Sequence, residues 1–411
     1  MEGRIPSLLE PKLLAGQLHW LEQRPDQQGR TTLMRRPFGV ATDGEGASPP
    51  AEELTPGGWN LRSRIHGYGG GACALGLVEG HTIAVFVDDR DRCLWRLDLG
   101  PAGAAANEPI QLTQPGPWAF GGGLIDARRQ RWIGVAESGG RDQLVAVSLL
   151  GGEPLTLHQA ADFCGYPSLS PRGSHLAWVE WQQPCLPWQR SQLWLGCFAA
   201  AGTDGPGAGL GEGLSACRPV AGSDNGSSKA SSVFQPLWMG QPAGPEAPTP
   251  IGGAPSPDGA GGSGAPGALP ADLLVACDRS GWWNLERLAQ AEALTASDLE
   301  PSVSADAASA RESEASLAPA PPSLAKPNLA WQPLLPMEAE FATPQWVLGP
   351  LHHRVGWQPA ARRRLRSGEL AAGPDRLQKR PYERNGPGPS DPGHSGRPSP
   401  ARPLDPLRSA F

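Results

Sequence analysis

Short runs of β-branched and aromatic residues, closed by turns rich in Asp, Gly and Ser, recur along this chain at a spacing of about fifty residues. One unit reads 82–87, the turn 88–91, 93–97 and 110–113; the next reads 131–135, the turn 138–141, 143–148 and 154–156. A third has 168–173, 175–181 and 192–195, and a fourth has 233–239, 273–277, the turn 278–281 and 282–285. An earlier unit is visible at 18–21, 31–34 and 53–56, and a later one begins at 339–347 and then fails. The third strand of successive units falls near Trp95, Val145, Trp194 and Trp283. Strand, turn, strand, turn at this period is the pattern of a four-stranded propeller blade. The expected fold class is all-β: an incomplete β-propeller of about five four-stranded antiparallel blades.

Composition supports that class. The chain's 54 Gly and 46 Pro among 411 residues are about twice the usual share, which argues against a helical bundle or coiled coil. Fifteen Trp supply large anchors for packing between short strands. Three stretches break the repeat. Residues 241–270 hold eight Pro and eight Gly, too little apolar surface to offset the entropy of ordering, and are expected to be disordered. Residues 199–232 and 290–327 read the same way, with a brief helical start at 288–294. All three lie between strands, where long insertions are tolerated.

The charge is unevenly spread. Residues 350–411 carry 12 Lys and Arg against 5 Asp and Glu, whereas residues 1–349 carry 23 against 36. The chain therefore divides into a partial propeller, 1–349, and an Arg/Pro-rich tail, 350–411, expected to be disordered. The change at 348–350 is abrupt, and Arg, Pro, Gly and Ala are what a GC-rich gene yields out of frame; the tail is expected to be such a segment, the alternative being a natural basic tail. With few aromatics and no folded platform, it implies no specific nucleic-acid partner. Seven widely spaced cysteines without a CxxC pair argue against a disulfide framework or zinc site and fit a reducing, cytoplasmic setting. The start, with acidic residues and a proline, does not read as a signal peptide, and no apolar window is long enough for a membrane span.

Several segments together resemble a known family. These are Arg62-Ser-Arg-Ile-His-Gly-Tyr-Gly-Gly-Gly-Ala72, the stretch 126–135 with its Arg-Trp-Ile-Gly-Val core, Leu169-Ser-Pro-Arg-Gly173, Leu193-Trp194, and Asp278-Arg-Ser-Gly-Trp-Trp-Asn-Leu285. In this order they are similar to the N-terminal β-propeller of the prolyl oligopeptidase family of serine peptidases, in its bacterial dipeptidyl aminopeptidase and acylaminoacyl peptidase branch. The resemblance runs from about Pro11 to Gly349. It implies a propeller that restricts a C-terminal α/β-hydrolase domain to small peptides, with about seven blades closing the ring.

The chemistry of that family needs a Ser in a Gly-x-Ser-x-Gly elbow with Asp and His partners. No serine in this sequence has glycine at both −2 and +2; Ser263 and Ser395 each miss one. After Trp178 the histidines are His352, His353 and His394, all in the basic tail. No catalytic, cofactor-binding or metal-ligating residue is therefore assigned, no cofactor is expected, and the chain alone is expected to be inactive. Arg62, Arg64, His66 and Tyr68 are the candidates for a channel or domain-interface surface, a role in bonding neighbouring blades being the competing reading. The glycines at 67–71 are expected to line an inner strand near the axis rather than to cradle a dinucleotide, because strands follow them where a helix is required. The acids Asp88, Asp89 and Asp91 are expected as solvated turn residues. The partners implied are small peptides, through a missing or separate hydrolase domain, and further copies of this chain, through blades left unclosed. The alternatives are a non-catalytic peptide- or protein-binding propeller and one half of a split peptidase.

Overall fold

The computed structural model describes residues 5–38, 50–103, 107–199, 213–224, 228–240, 269–300, 329–342 and 348. They form five antiparallel sheets of four strands each, with strands in chain order within every sheet. Blade 1 comprises β1 (Ser7–Leu14), β2 (Gln17–Arg24), β3 (Arg30–Pro37) and β4 (Glu52–Glu53). Blade 2 comprises β5 (Cys73–Val78), β6 (His81–Val87), β7 (Leu94–Asp98) and β8 (Ile110–Gln111). Blade 3 has β9 (Ala119–Asp126), β10 (Arg131–Ser138), β11 (Arg141–Ser148) and β12 (Leu155–Gln159). Blade 4 has β13 (Phe163–Leu169), β14 (His175–Trp181), β15 (Gln192–Phe198) and β16 (Leu214–Gly222). Blade 5 has β17 (Val233–Met239), β18 (Asp272–Cys277), β19 (Asn284–Leu288) and β20 (Trp331–Pro333). Among the described residues α-helix is confined to α1 (Ala296–Leu299), and no helix is long and apolar enough to cross a membrane.

Local chemistry explains the elements. The hairpin β10–β11 is turned by Gly139 (φ 61°) and Gly140 (φ 75°), the left-handed pair that a two-residue loop requires, and this sets Ser138 opposite Arg141. The two-residue strand β4 is short of backbone pairing and is clamped by charge. Glu53 accepts from Arg24 at 2.7 Å and Arg30 at 2.6 Å, and Glu52 pairs with Arg35 at 2.8 Å. Arg35 also donates to the carbonyls of Gly100 and Pro101, tying blade 1 to blade 2.

The core lies between blades. One cluster joins blades 1 and 2 through Leu33, Leu61 and Phe86, and a second joins blades 2 and 3 through Val85, Phe120 and Trp132. The third and largest, with Trp178, Leu193, Phe234 and Leu273, spans blades 3 to 5.

The stretches expected as inserts are corrected in part. The range 199–232 contains β16, a nine-residue strand paired with β15 from Gln192↔Gly222 to Phe198↔Leu214. The range 290–327 opens on ordered backbone, with α1 capped by Thr295 through its exchange of hydrogen bonds with Asp298. Residues 241–268 and 301–328 and the tail from 349 onward lie outside the described residues. The turn acids are also corrected. Asp88 is fully buried, accepting the Asn60 amide at 3.2 Å and pairing with Arg90, while Asp91 accepts the Cys93 amide and the Trp95 indole N–H.

Candidate functional site

The first strands of the five blades share one backbone device. Each carries, or in blade 2 follows, a residue in the left-handed region: Glu10 (φ 50°), Gly71 (58°), Gly122 (60°), Tyr166 (56°) and Gln235 (56°). In β1, β13 and β17 the pairing register slips across that residue, between Leu9 and Lys12, Gly165 and Ser168, and Phe234 and Leu237. Such a bulge bends the strand and re-aims its side chains. Three of the five are not glycine and precede a proline, at a cost of about 1 kcal/mol or more each. The strain recurs blade after blade, so it belongs to the architecture of this end of the strands.

Where the inner strands meet, the backbones crowd. The Gly122 amide donates to the Gly71 carbonyl at 3.0 Å, and a Cβ on Gly71 would stand 2.4 Å from the Gly122 nitrogen. Leu348, 1% exposed, forms a parallel bridge with Gly70 and packs its side chain over Gly122 and Gly165. Of the glycines at 67–71, expected on an inner strand, Gly70 and Gly71 take part in this crowding, but all of them lie in the loop ahead of β5, and Gly67 has nothing packed against it.

Beside that contact lies a cavity of about 400 Å³ walled by the first strands of all five blades. Its wall includes Glu10 and Lys12 of β1, Trp20 of β2, Cys73 of β5, Leu124 of β9, Tyr166 of β13 and Leu237 of β17. Burial pushes the Glu10 carboxyl up to about 7, against the opposing pull of the Gly71 and Ala72 amides and of Lys12. Burial likewise pushes the Cys73 thiol up to about 12, with the Glu10 charge adding to it. The buried indole N–H of Trp20 has no hydrogen-bond partner among the described residues. The wall is mostly apolar, with the Glu10 carboxyl and the Lys12 ammonium among its polar groups.

The four residues singled out in the sequence do not line this cavity. They sit on the loop 60–71, which crosses from blade 1 over blades 2 and 3. Leu61 donates to the Thr31 carbonyl, Arg62 to that of Val87, and Ser63 Oγ to that of Phe120 at 2.6 Å. The side chains of Arg62 and Arg64 are exposed, and Arg64 makes a bidentate pair with Asp89 at 2.6 and 2.9 Å. Tyr68 is 70% exposed. His66 turns inward: its Nε2 lies 2.6 Å from the fully buried Asp142, its amide donates to Glu137, and Phe163 and Trp181 meet its ring edge-on. The structure thus brings His66, Glu137 and Asp142 together, with donor atoms within 4.8 Å of one another, an arrangement able to hold a metal ion. Asp142 also accepts the Cys164 amide at 2.8 Å, so the loop is tied through it to blade 4.

The geometry has counterparts among solved structures. A puromycin-hydrolysing peptidase of Mycobacterium tuberculosis matches 84% of this chain with a TM-score of 0.55 at 21% identity. A puromycin hydrolase matches 72% with a TM-score of 0.51 at 23% identity, and its S511A mutant 70% at 24% identity. The chain carries the propeller fold of these peptidases. It spans 41% of the length of the mycobacterial protein and 39% of the others. The resemblance read from the motifs at 62–72, 126–135, 169–173, 193–194 and 278–285 therefore stands at the level of the fold. No protein-family model and no curated protein matches the chain.

Apart from Gly71, the residues of the propeller cavity lie outside the motifs at 62–72, 126–135, 169–173, 193–194 and 278–285. Their signal was a small recurrent one: a strained residue followed by proline inside an apolar run, as in Leu9-Glu10-Pro11, Gly165-Tyr166-Pro167 and Phe234-Gln235-Pro236. Ala342-Thr343-Pro344 repeats it in sequence, although residues 343–347 lie outside the described residues.

Proposed function

We propose that this propeller gates the access of small peptides to a serine-peptidase domain of the α/β-hydrolase type, and that the chain by itself does not hydrolyse peptides. The observation that carries the reading is the cavity of about 400 Å³ at the converging first strands of a propeller whose fold is that of puromycin-hydrolysing peptidases. Its volume admits a few residues of extended peptide and excludes a folded protein. Glu10 would meet a peptide ammonium, while Leu21, Leu33 and Leu75 would take apolar side chains. The exposed loop residues Arg62, Arg64 and Tyr68 would face the partner domain. The Arg/Pro-rich tail, 350–411, would then mark a departure from the frame that encodes the rest of the blades and the hydrolase.

A second reading, a peptide-binding propeller acting without a hydrolase, rests on the same cavity, whose wall combines Glu10 with apolar side chains. Equilibrium titration of the purified chain with a tripeptide and with a folded protein, alongside a peptidase assay, separates these. Gating predicts no turnover, weak capture of the tripeptide and none of the protein. Tight, saturable tripeptide binding supports the second reading, and turnover by the chain alone contradicts both.

A further inference from the structure

Away from the axial cavity, strands of blades 3 and 4 bring a thiol, an imidazole and a carboxylate together. Cys217 Sγ lies 3.6 Å from His158 Nδ1, and His158 Nε2 lies 2.7 Å from Glu180 Oε1. The three groups come from three strands: His158 from β12, Glu180 from β14 and Cys217 from β16. A bulge aims the imidazole. Leu144 pairs with His158 and Val145 with Thr156, which leaves Leu157 as the extra residue beside it. The carboxylate is held in turn: Glu180 is 5% exposed and accepts the Trp178 indole N–H at 2.7 Å. The His158 ring lies against Trp178 and Trp194, at 5.1 and 4.9 Å between centroids.

Nucleophile, base and orienting acid in sequence is the arrangement that activates a thiol. Burial opposes a charge on His158, but the hydrogen bonds to Cys217 and Glu180 outweigh it and hold the ring up at about 9. Cys217 is half-buried on the outermost strand of its sheet, whereas Cys93, Cys164, Cys197 and Cys277 are buried.

We propose that Cys217 is a nucleophilic thiol, activated by His158 and oriented through Glu180, and a site of covalent modification by small soft electrophiles. Its proton passes from Sγ to His158 Nδ1. With an alkyl halide, the Sγ electron pair forms an S–C bond as the carbon–halogen bond breaks and the halide leaves with its pair. With a low-molecular-weight disulfide, Sγ bonds to one sulfur and the other leaves as a thiolate.

Time-resolved alkylation of the native chain with iodoacetamide, followed by peptide mapping, tests this. Cys185, equally half-buried on the β14–β15 turn, is the internal reference. In the wild type Cys217 is expected to react about tenfold faster than Cys185. In His158→Gln its rate should fall to that of Cys185, with Cys185 itself unchanged, and Glu180→Gln should lower it part of the way. Equal rates at Cys217 and Cys185 in the wild type overturn the proposal, as does a Cys217 rate unchanged by His158→Gln. A variant that unfolds announces itself by alkylation of Cys164 and Cys277, and the wild-type comparison then decides alone.

Discussion

Glu10 Oε1 accepts the backbone N–H of Gly71 at 2.8 Å, so a carboxyl on the first strand of blade 1 closes onto the backbone leading into blade 2. Burial raises that carboxyl from an ordinary 4.5 to about 7. The folded state therefore holds the proton more tightly than the unfolded chain, and the stability it contributes is complete below pH 4.5 and lost as pH rises through 7. Glu10→Gln removes the dependence. The variant should match the wild type at pH 4 and exceed it at pH 8 by about 1–3 kcal/mol, read from urea unfolding at the two pH values.

Close packing at the axis makes a second, coupled prediction. A Cβ on Gly122 would meet the Leu348 side chain at 3.0 Å, in a backbone conformation of φ 60°. Leu348→Ala should cost about 2–5 kcal/mol through the cavity it opens, and Gly122→Ala about 2 kcal/mol or more through strain and overpacking. Because the two groups touch, Gly122→Ala should cost less in the Leu348→Ala background than in the wild type. Simple additivity in a double-mutant cycle would show that Leu348 does not pack on Gly122.

The loop 60–71 depends on His66. Its partner Asp142 is fully buried, so His66→Ala leaves that carboxylate without its side-chain partner and should destabilise the chain by about 3 kcal/mol. Limited proteolysis should then cut first between Arg62 and Gly70. A cleavage pattern unchanged from wild type would mean that the Leu61, Arg62 and Ser63 hydrogen bonds hold the loop alone.

Blade 1 exposes apolar side chains on its first strand, with Leu8 66% and Leu13 50% accessible. Edges and faces of this kind promote association. The chain should form concentration-dependent oligomers in light scattering, and Leu8→Lys with Leu13→Lys should shift it towards monomer. Oligomers unaffected by the pair would place the contact elsewhere.

How far the fold could be read depended on how each strand is stabilised. β14 and β17 coincide with runs at 175–181 and 233–239 because both are buried on both faces and so are mostly apolar, with His175, Glu180 and Gln235 as the buried polar exceptions. β1 and β16 were missed because their side chains are largely exposed or half-buried, and β16 is set among Gly, Ala and Ser. What makes them strands is pairing with β2 and β15, a tertiary cause with no local signature. The same holds for the site. The loop residues Arg62, Arg64, His66 and Tyr68 stood out as charged and aromatic groups among glycines, whereas the cavity wall is assembled from strands about fifty residues apart. Of that wall, the local signal in the sequence is the residue before proline at Glu10 and Tyr166, a pattern that Gln235 repeats beside Pro236.

The claim that this propeller serves a serine peptidase is tested most directly by sequencing the transcript from codon 340 onward and translating it in all three frames. The account predicts that one frame continues the blade begun at Phe341-Ala342-Thr343-Pro344-Gln345-Trp346 and reaches a Gly-x-Ser-x-Gly elbow followed by Asp and His. Three frames without such an elbow would contradict it and leave a peptide-binding propeller with a basic tail.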